Sequence, residues 1–161
     1  MALICNIILI CLLVLIAIED FRFFAVSWVL FPAVFLVASV SGIYSSSHLE
    51  SFLIFTLLNI CIIGVQVIGI ILYAFIKRGT WRAVREMIGL GDFLFLIAIS
   101  PLMHPFSFVL FCISTLILTF CVLVVQRKTH QYIPLAGYFS LSLIAFLIIG
   151  IYYPINPLIQ L

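Results

Sequence analysis

Apolar side chains fill this chain in six runs separated by polar segments, and the run lengths predict helices rather than strands. A membrane-spanning helix needs about 20 apolar residues, because the hydrocarbon core is about 30 Å thick and each helical residue rises about 1.5 Å. The fourth run is the shortest and ends at His104-Pro105. The predicted helices are 3–18, 27–43, 52–76, 92–103, 106–125 and 133–151. The predicted fold class is therefore an all-α membrane protein with six transmembrane helices in one polytopic domain, residues 1–161.

The composition agrees with a protein that resides in lipid. Of the 161 residues, 67% are hydrophobic and 7% are charged, whereas about a quarter of the residues of a soluble domain are charged. These values exclude a soluble globule and predict membrane lipid as the surroundings. The formal net charge of +2 and the absence of a basic stripe argue against a nucleic-acid partner.

The positions of the basic residues predict which side of the membrane each loop faces. Lys and Arg concentrate in short cytoplasmic loops, and all seven lie in the first, third and fifth predicted loops. This places both termini on the non-cytoplasmic side. The first run lacks a basic leader and a small-residue cleavage site, so we expect a membrane helix rather than a signal peptide. The seven basic residues are Arg22, Lys77, Arg78, Arg82, Arg85, Arg127 and Lys128.

Two of the five acidic residues adjoin apolar helices on the same predicted face. Asp20 follows the first helix and Asp92 opens the fourth, and ionisable groups at membrane depth are costly enough to indicate function. Two carboxylates held close together share one proton, so one acts as a base on water while the other acts as an acid. Their own helix ends favour the anion on Asp92 and the proton on Asp20. Glu19 points about 100° away from Asp20 on a helix and is interpreted as a solvated neighbour.

The residues before Asp92 form the sequence Gly89-Leu90-Gly91-Asp92. Glycine lacks a side chain, so Gly89 and Gly91 are predicted to let backbone from a helix or a substrate strand approach closely. Irregular backbone at membrane depth must be buried in protein or line a wet cavity, which suits a short helix that starts after glycine and ends at proline.

These residues resemble the type IV prepilin peptidases and their archaeal preflagellin relatives, the GxGD membrane aspartyl peptidases. The resemblance covers most of the chain and depends on segments 17–27, 89–92 and 133–136, the last being Ile-Pro-Leu-Ala. It implies that Asp20 and Asp92 are catalytic, that the substrate is a pilin-like precursor protein, and that its leader is cut at the cytoplasmic face. It implies no metal and no organic cofactor. The short form lacks the cysteine-bearing segment of the methylating members, so no methyltransferase activity is implied.

Two departures from the family pattern keep other functions open. Residues 25–27 read Ala-Val-Ser where the family usually has Ile-Pro and a polar residue, and Leu94 stands where a lysine is common. One alternative is a catalytically degenerate member that acts as an assembly partner. Another is a small proton- or cation-coupled transporter that uses the same two carboxylates. The oligomeric state and the identity of the precursor stay open.

The remaining polar residues indicate structure rather than chemistry. The five cysteines and three histidines do not show metal-ligand spacing. Asn59 and Gln66 lie inside the third run, where an amide is expected to hydrogen-bond another helix.

Overall fold

The protein is described by a computed structural model that covers residues 2–45, 48–78, 89–126 and 134–152. Within these ranges all regular structure is helical and no strand occurs. The helices are α1 (Ala2–Phe23), α2 (Leu30–Ser45), α3 (Leu49–Arg78), α4 (Leu90–Ile99) with a 3-10 turn at Ser100–Leu102, α5 (Pro105–Gln126) and α6 (Leu135–Tyr152).

Each apolar run coincides with a helix, but two helix ends differ from the prediction in ways that affect the site. Helix α1 continues to Phe23, so Glu19 and Asp20 lie inside its last two turns. It ends where the N–H of Phe24 donates to the carbonyl of Asp20 at 3.0 Å, with Phe24 at φ 52°. That left-handed conformation is common just after a helix but costs a residue other than glycine free energy. Helix α4 begins at Leu90, which brings Asp92 into its first turn.

Three helices are long and apolar enough to cross a membrane, namely Ile4–Phe23, Leu49–Lys77 and Pro105–Val122. The apolar helices Leu30–Tyr44, Leu90–Leu102 and Leu135–Ile149 are shorter. Large apolar side chains cover the outer faces of the bundle, as lipid-facing surfaces require. The basic residues Arg82, Arg85, Arg127 and Lys128, on which the topology depends, lie outside the described residues.

Helix α4 lies at the centre of the bundle, between α2, α3 and α6. It buries Phe95, Leu96 and Ile99, while α1 packs along α6 on one side and α2 on the other. The buried positions of α1 follow helical spacing, since Leu9, Leu13 and Ile16 are fully enclosed. The short helix therefore packs one face against three neighbouring helices, while Leu90, Leu94 and Ile97 are exposed.

Asn59 of α3 holds the end of this short helix. Its Nδ2 donates to the carbonyls of Ser100 and Met103, both at 2.8 Å, and its side chain is 0% exposed. The last carbonyls of a helix lack partners within it, and Asn59 supplies donors roughly 15 Å along α3 from Leu49. The prediction that Asn59 hydrogen-bonds another helix is confirmed, and its two bonds give partners to carbonyls at the end of α4.

Close packing at Gly42 holds the same end of α4 from another side. A Cβ at Gly42 would lie 2.5 Å from the carbonyl oxygen of Pro101 and 2.8 Å from the Phe52 ring. Helices α2 and α3 and the 3-10 turn therefore meet where no side chain fits. This end of α4 is fixed, and the opposite end carries Asp92.

Candidate active site at the start of the last helix

Asp20 is a buried carboxylate that reaches from α1 to α6. Its side chain is 7% exposed, and its Oδ2 accepts the backbone N–H of Gly137 at 2.6 Å. The first N–H groups of a helix have no partner within the helix and carry partial positive charge. The N-terminus of α6 therefore supplies both a hydrogen bond and a favourable dipole to this carboxylate.

Asp92 lies in the first turn of α4 and folds back over the residue that precedes the helix. Its backbone N–H donates to the carbonyl of Gly89 at 3.0 Å, and its carboxylate lies directly against the Gly89 Cα. The same carboxylate interacts with the carboxylate of Asp20 and with the backbone N–H of Ala136. Among the described residues, neither aspartate forms an ion pair.

The structure thus brings together the two aspartates that the sequence singled out, from helices far apart along the chain. Both interact with consecutive backbone amides, those of Ala136 and Gly137, in the first turn of α6. The dipoles of the aspartates' own helices favour the anion on Asp92. Helix α6 adds an N-terminal dipole that acts on Asp20 as well.

Aromatic packing holds α1 against the start of α6. The ring of Phe21 stands edge-on to that of Tyr138, with centroids 5.2 Å apart at 86°. A Cβ at Gly137 would lie 3.0 Å from the Phe21 ring and 3.2 Å from Asp20 Oδ2. The absence of a side chain at Gly137 is what allows Asp20 to reach the helix.

Glu19 has a structural partner of its own rather than only solvent. Its two carboxylate oxygens accept the backbone N–H of Ser27 at 2.7 Å and the Ser27 hydroxyl at 3.2 Å. These bonds tie the end of α1 to the segment that leads into α2. Glu19 therefore fixes the linker beside the site and does not point at Asp92.

The two glycines of the Gly-Leu-Gly-Asp sequence differ in their surroundings. A Cβ at Gly89 would overlap the carboxylate of Asp92, whereas a Cβ at Gly91 would meet only Phe31 Cζ, at 3.8 Å. Gly89 thus leaves space for the Asp92 carboxylate. The sequence had predicted that this glycine leaves space for the backbone of a helix or a substrate. An added Cβ at Gly91 would therefore be at an ordinary contact distance from its neighbour.

An apolar groove of about 400 Å³ lies between α2 and α4 beside the site. Phe31 lines it and also lies nearest to Gly91. Leu94 lines the groove too. The peptidase family that the sequence resembles often has lysine at this position. The lining contains no charged side chain.

Gly137 and the N–H of Ala136 are parts of the site that sequence reasoning missed. Segment 133–136 carries part of the family resemblance, but its sequence alone indicates no contact with Asp20. A glycine three residues after Pro134, in the first turn of a predicted helix, was the available signal. It is a weak one, since many helices carry such a glycine.

The arrangement suits acid–base chemistry on water by paired carboxylates. In the described ranges, no group of three or more His, Cys, Asp or Glu side chains is placed to hold a metal ion. Polar hydrogen-bond donors at the site come from backbone amides of α6. No family model, curated protein or solved structure matches this chain.

Proposed function

We propose that this protein is a membrane aspartyl endopeptidase that cleaves the leader of a type IV pilin-like precursor at the cytoplasmic face of the membrane. The observation that carries the proposal is the convergence of Asp20 and Asp92, 72 positions apart in the sequence, at the first turn of α6. Ionisable groups at membrane depth are costly enough to indicate function, and here Asp20 is buried while Asp92 is partly exposed. The resemblance of segments 17–27, 89–92 and 133–136 to prepilin and preflagellin peptidases supplies the substrate class.

The chemistry needs one proton shared between the two carboxylates. The ionised carboxylate removes a proton from water, and the oxygen of that water attacks the peptide carbonyl carbon. The protonated partner donates its proton to the carbonyl oxygen, which gives a tetrahedral diol. The aspartate that took the proton from water then gives it to the amide nitrogen and the C–N bond breaks. A hydroxyl of the diol gives its proton to the other aspartate as the new carboxyl group forms, so the pair again holds one proton. The residues proposed for these steps are Asp20 and Asp92.

The topology belongs to the same proposal. All six helices cross the membrane, both termini are non-cytoplasmic, and the membrane is the bacterial cytoplasmic one. Supporting this, the end of α1 with Arg22 and the starts of α4 and α6 lie together at the aspartate end of the bundle. That is the face on which the basic residues predict cytoplasm.

The test is cleavage of a pilin-like precursor in membranes, read by mass, with Asp20→Asn and Asp92→Asn beside the unmodified protein. Each change keeps the shape of the side chain and removes its carboxylate. Glu19→Gln is the matched control, because it removes the neighbouring carboxylate on the same helix turn and its partner is Ser27. We expect cleavage by the unmodified protein and by Glu19→Gln, and none by the two aspartate variants at equal folded amounts.

Other outcomes would favour the alternatives. Equal cleavage by all variants would show that the aspartates are not catalytic. Failure of the unmodified protein to cut any precursor with a basic leader would favour a degenerate member that acts as an assembly partner. The apolar Leu94, at a position where the family commonly has lysine, agrees with that alternative. Coupled proton or cation flux in vesicles, lost in the aspartate variants, would favour the transporter.

A further inference from the structure

We propose that Gly137 is a positioning residue for the aspartate pair: its backbone N–H holds the Asp20 carboxylate, and its missing side chain lets α1 come close enough for that bond. This inference rests on the proposed function. It adds the first turn of α6 to the site, beside the two aspartates. No acidic motif in the sequence indicates that turn.

The N–H of Gly137 is available for this role because the helix does not use it. The N–H of Tyr138 donates to the carbonyl of Pro134, just before α6, at 3.3 Å. The N–H of Gly137 lies one residue earlier and donates instead to Asp20 Oδ2 at 2.6 Å. Hydrogen bonds to an ionised acceptor are shorter and stronger than neutral ones, and this bond is buried.

The requirement for glycine is one of space. A Cβ at Gly137 would press on Phe21 and on Asp20, at 3.0 and 3.2 Å. Both neighbours are side chains of α1, so an added methyl group would require the Phe21 ring and the Asp20 carboxylate to shift by a few tenths of an ångström. The edge-on contact of Phe21 with Tyr138 resists a sideways adjustment.

The same turn also fixes where Asp20 lies relative to Asp92. Asp92 interacts with the N–H of Ala136, the residue immediately before Gly137. Adjacent N–H groups in one helical turn have a fixed separation and direction. The bond from Gly137 therefore fixes the Asp20 carboxylate relative to this turn, near which Asp92 lies, and a reaction through both carboxylates needs such a fixed position.

The experiment replaces single backbone amides by esters, which removes an N–H and leaves the side chain unchanged. Cell-free translation with glycolic acid at position 137 deletes the donor to Asp20. The matched control is the tyrosine-derived hydroxy acid at position 138, which deletes an N–H that donates to the carbonyl of Pro134, just before α6. Both proteins are reconstituted in vesicles, and kcat and KM for the precursor are measured per folded molecule.

We expect the ester at 137 to lower kcat on the order of 10- to 100-fold, as the loss of a charge-assisted hydrogen bond would, with KM within about twofold. The ester at 138 should leave kcat within about threefold. Gly137→Ala should reproduce the loss in kcat. An unchanged kcat for the ester at 137, or equal losses for both esters, would overturn the inference.

A second readout does not depend on cleavage. The infrared band of the Asp20 carboxyl group, identified by its loss in Asp20→Asn with ¹³C-labelled aspartate, should shift with the ester at 137 and not with the ester at 138. If the unmodified protein cuts no precursor but this band shifts, the proposed function is wrong, while the hydrogen bond from Gly137 to Asp20 is supported. If the band does not shift, the inference fails even where the protein is an active peptidase.

Discussion

Replacing Gly89 by alanine gives the sharpest test of how the site is built, because the added methyl group meets the carboxylate of Asp92, one of the two proposed catalytic residues. A Cβ at this position would overlap Asp92 Oδ2. The backbone of Gly89, at φ −72° and ψ 100°, is an ordinary conformation for alanine. The substitution therefore tests space at the carboxylate and adds no backbone strain.

The size of the effect follows from how far the carboxylate must move. Relief of the overlap to an ordinary contact displaces the Asp92 carboxylate by about 1 Å, and a misplacement of that size costs about 100-fold in rate. In free energy this is about 2.7 kcal/mol at the transition state. Productive geometry tolerates roughly 0.5 Å, so the displaced Asp92 should lie outside it.

Gly91→Ala is the matched control, since it adds the same methyl group one residue before Asp92. Its Cβ would meet Phe31 Cζ at 3.8 Å, which is ordinary contact, and alanine favours a helix by up to about 1 kcal/mol over glycine. We expect kcat/KM within about twofold of the unmodified protein. The assay is cleavage of the precursor in detergent micelles at matched folded amounts. Gly89→Ala with more than half of the original activity, or equal losses in both variants, would refute the reasoning.

Three further predictions concern stability, measured as the free energy of unfolding by SDS in mixed micelles. Asn59→Leu should destabilise the bundle by about 1–3 kcal/mol, because two buried carbonyls lose their donor; a loss below about 0.5 kcal/mol would mean that the bonds contribute little. Gly42→Ala should destabilise the protein by about 1–2 kcal/mol, because the added methyl group overlaps Pro101. Gly64→Ala is the control: a Cβ there would meet nothing within 4 Å, so we expect it to stabilise by up to about 1 kcal/mol. A Gly42→Ala variant more stable than Gly64→Ala would contradict the packing described for α2. Phe24→Gly should stabilise the protein by about 0.5–1 kcal/mol, because glycine adopts the left-handed backbone conformation without strain. The Phe24 side chain is 53% exposed, so its removal loses little buried area. A destabilised variant would show that contacts of this side chain contribute more than the strain.

Local pattern determined the helices, because hydropathy over a window of some 20 residues decides whether a segment can lie in lipid. The same local reasoning identified Asn59 as an interhelical donor, since an amide in an apolar run must find a partner. It also singled out Asp20 and Asp92 as the pair, because a carboxylate beside an apolar helix is rare for energetic reasons. These inferences needed no knowledge of which helices touch.

Tertiary structure alone decided what each of those residues contacts. The bond from Gly137 to Asp20 joins positions 117 residues apart, and no periodicity along the chain relates them. A Cβ at Gly91 would meet Phe31 of α2 at 3.8 Å, a contact that only the packing of α4 against α2 provides. Glu19 and Asp20 are neighbours on one helix, and the packing of α1 against α6 turns Asp20 inward while leaving Glu19 to bind Ser27. Sequence determines what a residue can do at membrane depth, whereas the packing of helices distant in sequence determines which partner it meets.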